Sequence, residues 1–322
     1  MDNGAAVFTE LSEITVKVLD NSLRDSTKKK YLPHWEKFLS YCRTHLSKEP
    51  QTVSVGDILN YFSTLLNAGK SFSTINTAKI AISNFIYTAP YKHLGEHPAV
   101  DKYFDGLFNL NPTRPKVSSA IWDVNIVFNY FKSLGNSALL SDKQLSQKLC
   151  LFLLLLGGQR VNTIHAFTVD RLLLTSNSAT FVPDTVIKHQ KKGNKMDSFT
   201  YRAYPDSDLC IVQCLKEYLH RRDARVAGEV KKLLITYGKP YKAASIDSIR
   251  RWIKDLFKDC NINFSPHSCR SANTSKALEL GVDLQSVLKM ACWKSCGTFY
   301  KHYKKDISCT EETNFNELLN NL

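Results

Sequence analysis

Apolar positions recur at helical spacing through the first third of the chain. In STKKKYLPHWEKFLSYC, residues 26–42, Trp35, Phe38, Leu39 and Cys42 fall on one face. Pro33 then has to sit in a first turn or at a kink, because it lacks an N–H. SVGDILNYFSTLLN offers Ser54 as an N-cap, followed by a stripe of Ile58, Tyr61, Phe62, Leu65 and Leu66. STINTAKIAISNFIY repeats the pattern with Ile75, Ala78, Ile82 and Phe85. No strand alternation interrupts these stripes, which predict the core of a helical bundle.

NLNPTRPKVSS, residues 109–119, breaks the pattern with two prolines among polar residues and reads as a linker. Beyond it the elements become mixed. IWDVNIVFNYFKSL and QLSQKLCLFLLLLGGQR predict helices. TFVPDTVIKHQKKGNKMDSFTYRAY predicts two strands around a polar, glycine-containing turn. DLCIVQCLKEYLHRRDAR is helical, KLLITYGKPY reads as a short strand and turn, and SIDSIRRWIKDLFKDC is an amphipathic helix. The expected fold is mainly α with a small β-hairpin sheet, an α+β chain.

Composition changes this picture in four ways. The 322 residues suffice for two domains, each with its own core. The net charge of +13 is unevenly placed. Met1–Pro115 holds 13 basic and 11 acidic residues, or +2, whereas the remainder holds 30 and 19, or +11. A basic half points to a polyanionic partner. The nine cysteines are an odd number, and the start MDNGAAVFTELSE lacks a long apolar core, so reduced thiols in cytosol or nucleus are expected. The strongest apolar run, LCLFLLLL, is far shorter than the roughly 20 residues that span a bilayer, so no membrane partner is expected.

Candidate chemistry sits where the local structure turns. Arg160 follows an apolar helix and a Gly-Gly pair. Lys188, Lys191, Lys192 and Lys195 crowd the hairpin turn. In SPHSCRSAN, His267 and Arg270 begin a helix, and their three-residue spacing puts them on one face. Free N–H groups at a helix start favour an anion. Two guanidinium forks suit a phosphate, whose non-bridging oxygens gain charge under attack. Trp293 follows another apolar helix, and the nearby Tyr300 and Tyr303 offer hydroxyl nucleophiles. Cys260, His267, Cys269, Cys292, Cys296 and His302 are zinc-capable side chains close in sequence. CWKSC supplies one close pair, but no second clean pair follows, so no metal site is expected.

The order Arg160, hairpin lysine, His267-x-x-Arg270, Trp293, tyrosine resembles the signature of the tyrosine recombinases, the phage-integrase family. WDVNIVFNYF, KLCLFLLLLGGQRVNTI, AYPDSDLCIVQCLKEYL and HSCRSANTSKALELGVDLQSVLKMACWKSCGTFYKHY are similar to recombinases of DIRS-like eukaryotic mobile elements. The resemblance implies a helical core-binding domain over residues 8–110, a linker over 111–119 and a catalytic domain over 120–322. It implies a partner in double-stranded DNA, bound as a dimer on each site and a tetramer in the synapse, in the nucleus. In such enzymes tyrosine attacks a phosphodiester, leaving a 3′-phosphotyrosyl link and a free 5′-hydroxyl, with no cofactor and no metal.

Carried over, Arg160 and Arg270 hold the scissile phosphate and His267 assists proton movement. Trp293 occupies a place often held by a second histidine. Tyr303 is the expected nucleophile, with Tyr300 as its alternative. Lys188 is the expected acid, with Lys192 as its alternative. Thr163 stands where bacterial members usually carry an acidic residue, which removes one supporting contact. The terminal KKDISCTEETNFNELLNNL can form a helix around Phe315, Leu318 and Leu319; the resemblance implies that it docks onto a neighbouring protomer, and a self-packed or frayed terminus stays equally open. Two function classes stay open: an active mobile-element recombinase, and a host-adopted, non-catalytic DNA-binding protein derived from one. They separate at the covalent step.

Overall fold

A computed structural model describes residues 12–86, 94–112, 120–188, 190, 193, 196–226, 230–293, 296–302 and 305–307. The chain divides into two units, Met1–Lys116 and Val117–Leu322.

The described part of the first unit is helical: α1 (Glu13–Asp20), α2 (Asp25–Tyr41), α3 (Val55–Asn67), α4 (Phe72–Phe85) and α5 (Pro98–Leu110). Ser54 caps α3 in a capping box with Asp57, whose side chain accepts from the Ser54 N–H at 2.9 Å. Trp35, Phe38, Ile58, Phe62, Ile75 and Ile82 are buried together in one core. Pro33 lies inside α2 rather than in its first turn, because the helix starts upstream at Asp25. The hydrogen bond that Pro33 cannot donate would have gone to Lys29, an exposed position where water can serve that carbonyl.

The second unit is built around α7 (Asp142–Leu156), whose residues from Leu145 to Leu155 are all buried. Preceding it are β1 (Ala120–Ile121) and α6 (Asn125–Leu134). Following it are α8 (Val161–His165) and the strands β2 (Leu172–Leu174), β3 (Ser178–Phe181) and β4 (Phe199–Arg202), then α9 (Ile211–Asp223) and α10 (Ile246–Asp259). The described residues end with α11 (Cys269–Glu279), α12 (Leu284–Met290), α13 (Cys296–His302) and β5 (Asp306–Ile307). α9, α10 and α11 all pack against α7.

The strands form an antiparallel sheet in the order β2-β3-β4, with Phe181 opposite both Leu172 and Phe199. Its inner face buries Phe181 against Phe167, the rings stacked at 4.4 Å. Three features differ from the sequence expectation. β2 was not anticipated, and β3 and β4 are short, the first ending at Phe181 and the second beginning at Phe199. Pro183 lies just past β3, where it cannot donate to a ladder. KLLITYGKPY forms only the isolated bridges Thr168–Lys232 and Ile235–Ala243. The start of IWDVNIVFNYFKSL is strand, and β1 pairs in parallel with β5. The described residues are mostly helical, with one small three-stranded sheet and the two-stranded β1–β5 ladder.

Residues 113–119 of the expected linker and the expected terminal helix over Phe315, Leu318 and Leu319 lie outside the described residues.

Candidate active site

Arg160 sits in the turn between α7 and α8, in extended backbone at the start of α8. Two glycines set that turn. A Cβ on Gly157 would lie 2.5 Å from the Tyr201 hydroxyl, which donates to the Leu153 carbonyl of α7 at 2.9 Å. Gly158 has φ +57, the left-handed region open to glycine at no steric cost. A Cβ there would meet Met290 and Ala291 at the end of α12. The Arg160 turn is thus clamped between β4 on one side and the segment leading to Trp293 on the other.

His267 lies in a 3-10 turn, Pro266–Ser268, immediately before α11. Arg270 is the second residue of α11 and is 2% exposed. The turn is pinned from β1's side: the indole N–H of Trp122 donates to the Ser268 hydroxyl at 2.8 Å. That hydroxyl donates in turn to the Ser265 carbonyl at 2.7 Å. Trp122 itself is buried edge-on against Phe257 of α10. At the far end of α11, the Ser275 hydroxyl accepts from the backbone N–H of Lys305, just before β5.

Arg270 carries its guanidinium 4.4 Å above the Trp293 ring and donates from Nη2 to the Ala291 carbonyl. Trp293 in turn packs on Phe299, which is fully buried, at a centroid distance of 5.5 Å. Stacking plus a backbone acceptor fixes the plane of the guanidinium, the pre-organisation that distinguishes arginine from lysine.

His267 reports how closely the cations converge. Its pKa is lowered from the ordinary 6.5, first by desolvation, then by the charges of Arg160, Lys188, Arg270 and Arg250. The residue is exposed to solvent, yet protein atoms around the ring displace enough water for desolvation to lead. Cys292 gives a second reading from the other side. Burial and Asp197 push its thiol pKa up, while Arg270 and Arg160 pull it down. Arg160, Lys188, His267, Arg270 and Trp293 therefore gather at one place, from four separate stretches of the second unit.

Of the two candidate nucleophiles, Tyr300 is 53% exposed on α13, its ring 5.4 Å from Phe299. Tyr303 lies outside the described residues, as does Lys192. Thr163 is buried, its N–H donating to the Arg160 carbonyl at 2.9 Å. Arg250 was not anticipated. It lies on the exposed face of α10, which packs against both α8 and the His267 turn. Only the polar face of an amphipathic helix marked it, and that mark is shared with Arg251 and Lys254. Trp122 was also missed as a support, since nothing local signals a contact with Ser268.

Among the described residues, no group of three or more His, Cys, Asp or Glu side chains could hold a metal ion. No helix of the described residues is long and apolar enough to cross a membrane.

Residues 130–307, more than half of the chain and including the whole cluster, match the model of the phage integrase family. The chain belongs to that family. This integrase-family chain shares its fold with solved recombinase structures at low identity. The XerH site-specific recombinase in a post-cleavage complex with palindromic difH DNA aligns at TM-score 0.57 and 13% identity, over 91% of this chain and 78% of that one. The Tn1549 transposon integrase, in complex with circular intermediate DNA, aligns at TM-score 0.56 and 13% identity over 94% of each chain. A lambda integrase dimer bound to a COC′ core site aligns at TM-score 0.52 and 11% identity, over 90% and 75%. No curated protein sequence matches this integrase-family chain.

Proposed function

We propose that the chain is a tyrosine recombinase that cuts and rejoins duplex DNA at specific sites through a covalent 3′-phosphotyrosyl intermediate. One observation carries the reading: Arg160, Lys188 and Arg270 converge on His267, with Arg270 buried and locked on Trp293. Cations held in advance, where negative charge will develop, lower a barrier without reorganising.

In this mechanism Arg160 and Arg270 hold the non-bridging oxygens of the scissile phosphate. The Tyr303 oxygen attacks phosphorus and forms a new P–O bond. Its proton passes to His267, whose pKa is lowered first by desolvation and then by the nearby cations, which favours the neutral ring that has a free acceptor nitrogen. The P–O5′ bond breaks, and the departing oxygen takes a proton from the Lys188 ammonium, giving a free 5′-hydroxyl. A 5′-hydroxyl from another strand reverses these steps and restores the tyrosine. The bond exchange conserves the phosphodiester, so no external energy source enters.

The resemblance of the catalytic stretches to DIRS-like elements supports mobile-element ends as the substrate and the nucleus as the compartment. Dimers on each site, paired into a tetramer, form the working assembly. A suicide substrate tests the reading: DNA from the ends of the source element, nicked so that the cleaved fragment diffuses away. Wild type, Tyr303→Phe and Tyr300→Phe are compared on a denaturing gel without added metal. A protein–DNA adduct that only Tyr303→Phe abolishes is the expected result. Loss with Tyr300→Phe alone reassigns the nucleophile. No adduct from any form, despite measured binding to that DNA, sinks the mechanism in favour of a non-catalytic binder.

A further inference from the structure

A buried glutamine in a lysine-rich stretch of sequence needs a physical reason. Gln190 is 6% exposed, although it lies outside the sheet, between β3 and β4. Both backbone polar groups of Ile187 are satisfied by it. The Gln190 N–H donates to the Ile187 carbonyl at 3.0 Å, and the Gln190 side-chain oxygen accepts from the Ile187 N–H at 3.0 Å. The side-chain nitrogen of Gln190 points to Met196 Sδ at 3.0 Å, on the side of the stretch that leads to β4.

This clasp closes a turn whose first tip residue is Lys188. Ile187, 4% exposed, plugs the root of the turn into the core of the second unit. The approach from β3 is held as well. The Val182 N–H donates to the Arg171 carbonyl at 3.2 Å, and that of Asp184 to the Ala166 carbonyl at 2.9 Å. The Asp184 carboxylate pairs with the Lys232 ammonium at 2.7 Å. Lys188 itself is exposed. A lysine side chain has several free torsions, so its reach is useful only where its Cα is fixed.

We propose that Gln190 is a positioning residue that holds Lys188 at the phosphate site by clasping both polar groups of Ile187. The inference rests on the reading of Lys188 as the acid that protonates the leaving oxygen. It also separates Lys188 from the other lysines of the stretch, because Lys188 is the one directly following the clasped residue.

The test compares a natural phosphodiester with DNA carrying sulfur in place of the bridging 5′-oxygen at the scissile bond. A thiolate leaves without a proton, since a thiol has a pKa of about 8.5, far below an alcohol's. Wild type, Lys188→Ala and Gln190→Met are assayed for adduct formation on both substrates. Methionine preserves the buried volume of glutamine but accepts no comparable hydrogen bond. Gln190→Met is expected to slow cleavage of the natural bond by on the order of 10- to 10²-fold. The 5′-sulfur substrate should restore both variants to near the wild-type rate. If Lys188→Ala is rescued by sulfur while Gln190→Met stays slow on both substrates, Gln190 serves the fold and the inference is overturned. Wild-type cleavage of the natural bond by Gln190→Met overturns it too. Failure of sulfur to rescue Lys188→Ala removes the acid role itself, and the positioning role with it.

Discussion

Arg270 is oriented by the Trp293 ring and the Ala291 carbonyl, and His267 records the charge gathered around it. A proton on His267 would lose water and, after that, would share its surroundings with Arg160, Lys188, Arg270 and Arg250. The folded-state pKa therefore lies below the ordinary 6.5. The sign for stability follows. As the pH falls below 6.5, the unfolded chain takes up this proton first, so His267 subtracts stability until its folded-state pKa is passed. Above 6.5 the penalty is absent. In the DNA-free protein, an NMR titration of the His267 ring is expected to show a midpoint below 6.5. Lys188→Gln should move the midpoint upward, because it deletes one of the repelling charges. A midpoint that ignores Lys188→Gln would place that lysine too far away to serve the site.

At the scale of elements, the contact between α7 and β4 shapes the turn that carries Arg160. Gly157 leaves room for the Tyr201 ring, and the Tyr201 hydroxyl ties the sheet to the Leu153 carbonyl. Gly157→Ala is expected to cost about 1–3 kcal/mol by overpacking against that ring. Tyr201→Phe should cost about 1 kcal/mol through the lost hydrogen bond. Denaturant unfolding of the double variant should show less than the sum, since both changes act on one contact. Strict additivity would mean that the ring and the glycine are not coupled.

Elements whose pattern is local were legible beforehand. The stripe from Ile58 to Leu66 and the Ser54 cap need only neighbours three or four residues away, and α3 follows them. The gathering of Arg160, His267, Arg270 and Trp293 was legible through the order of a motif, not through any property of each residue. What escaped was non-local. Lys148 sits in the apolar run of α7 and is fully buried, its Nζ 3.1 Å from the Ser137 hydroxyl and near the rings of Phe131 and Phe152. Nothing in its immediate sequence shows that α7 is enclosed on every side. Gln190 likewise looks like any polar residue of a solvated turn until its partners are known. β1 and β5 are each two residues long and pair across nearly the whole unit, so neither carries a periodic signal.

At the scale of the whole molecule, two cores account for two units. One is built from Trp35, Phe38, Ile58, Phe62, Ile75 and Ile82. The other surrounds α7 and the sheet, and the two sets share no residue. Each core belongs to a stretch of ordinary domain size. Fragments 1–116 and 117–322, produced separately, are each expected to unfold in a single cooperative thermal transition. A fragment without such a transition would show that its core depends on the other unit.

The pairing of β1 with β5 also imposes an order in time. Ala120 and Ile121 are synthesised at the outset of the second unit, and their partners Asp306 and Ile307 follow only after its last described helix. Contacts this distant in sequence form late, because a long loop must close first. A chain still on the ribosome holds Arg160, His267 and Arg270 before it holds the strand that closes the unit around them. The proposed grip on a phosphate therefore waits until Asp306 and Ile307 have been made.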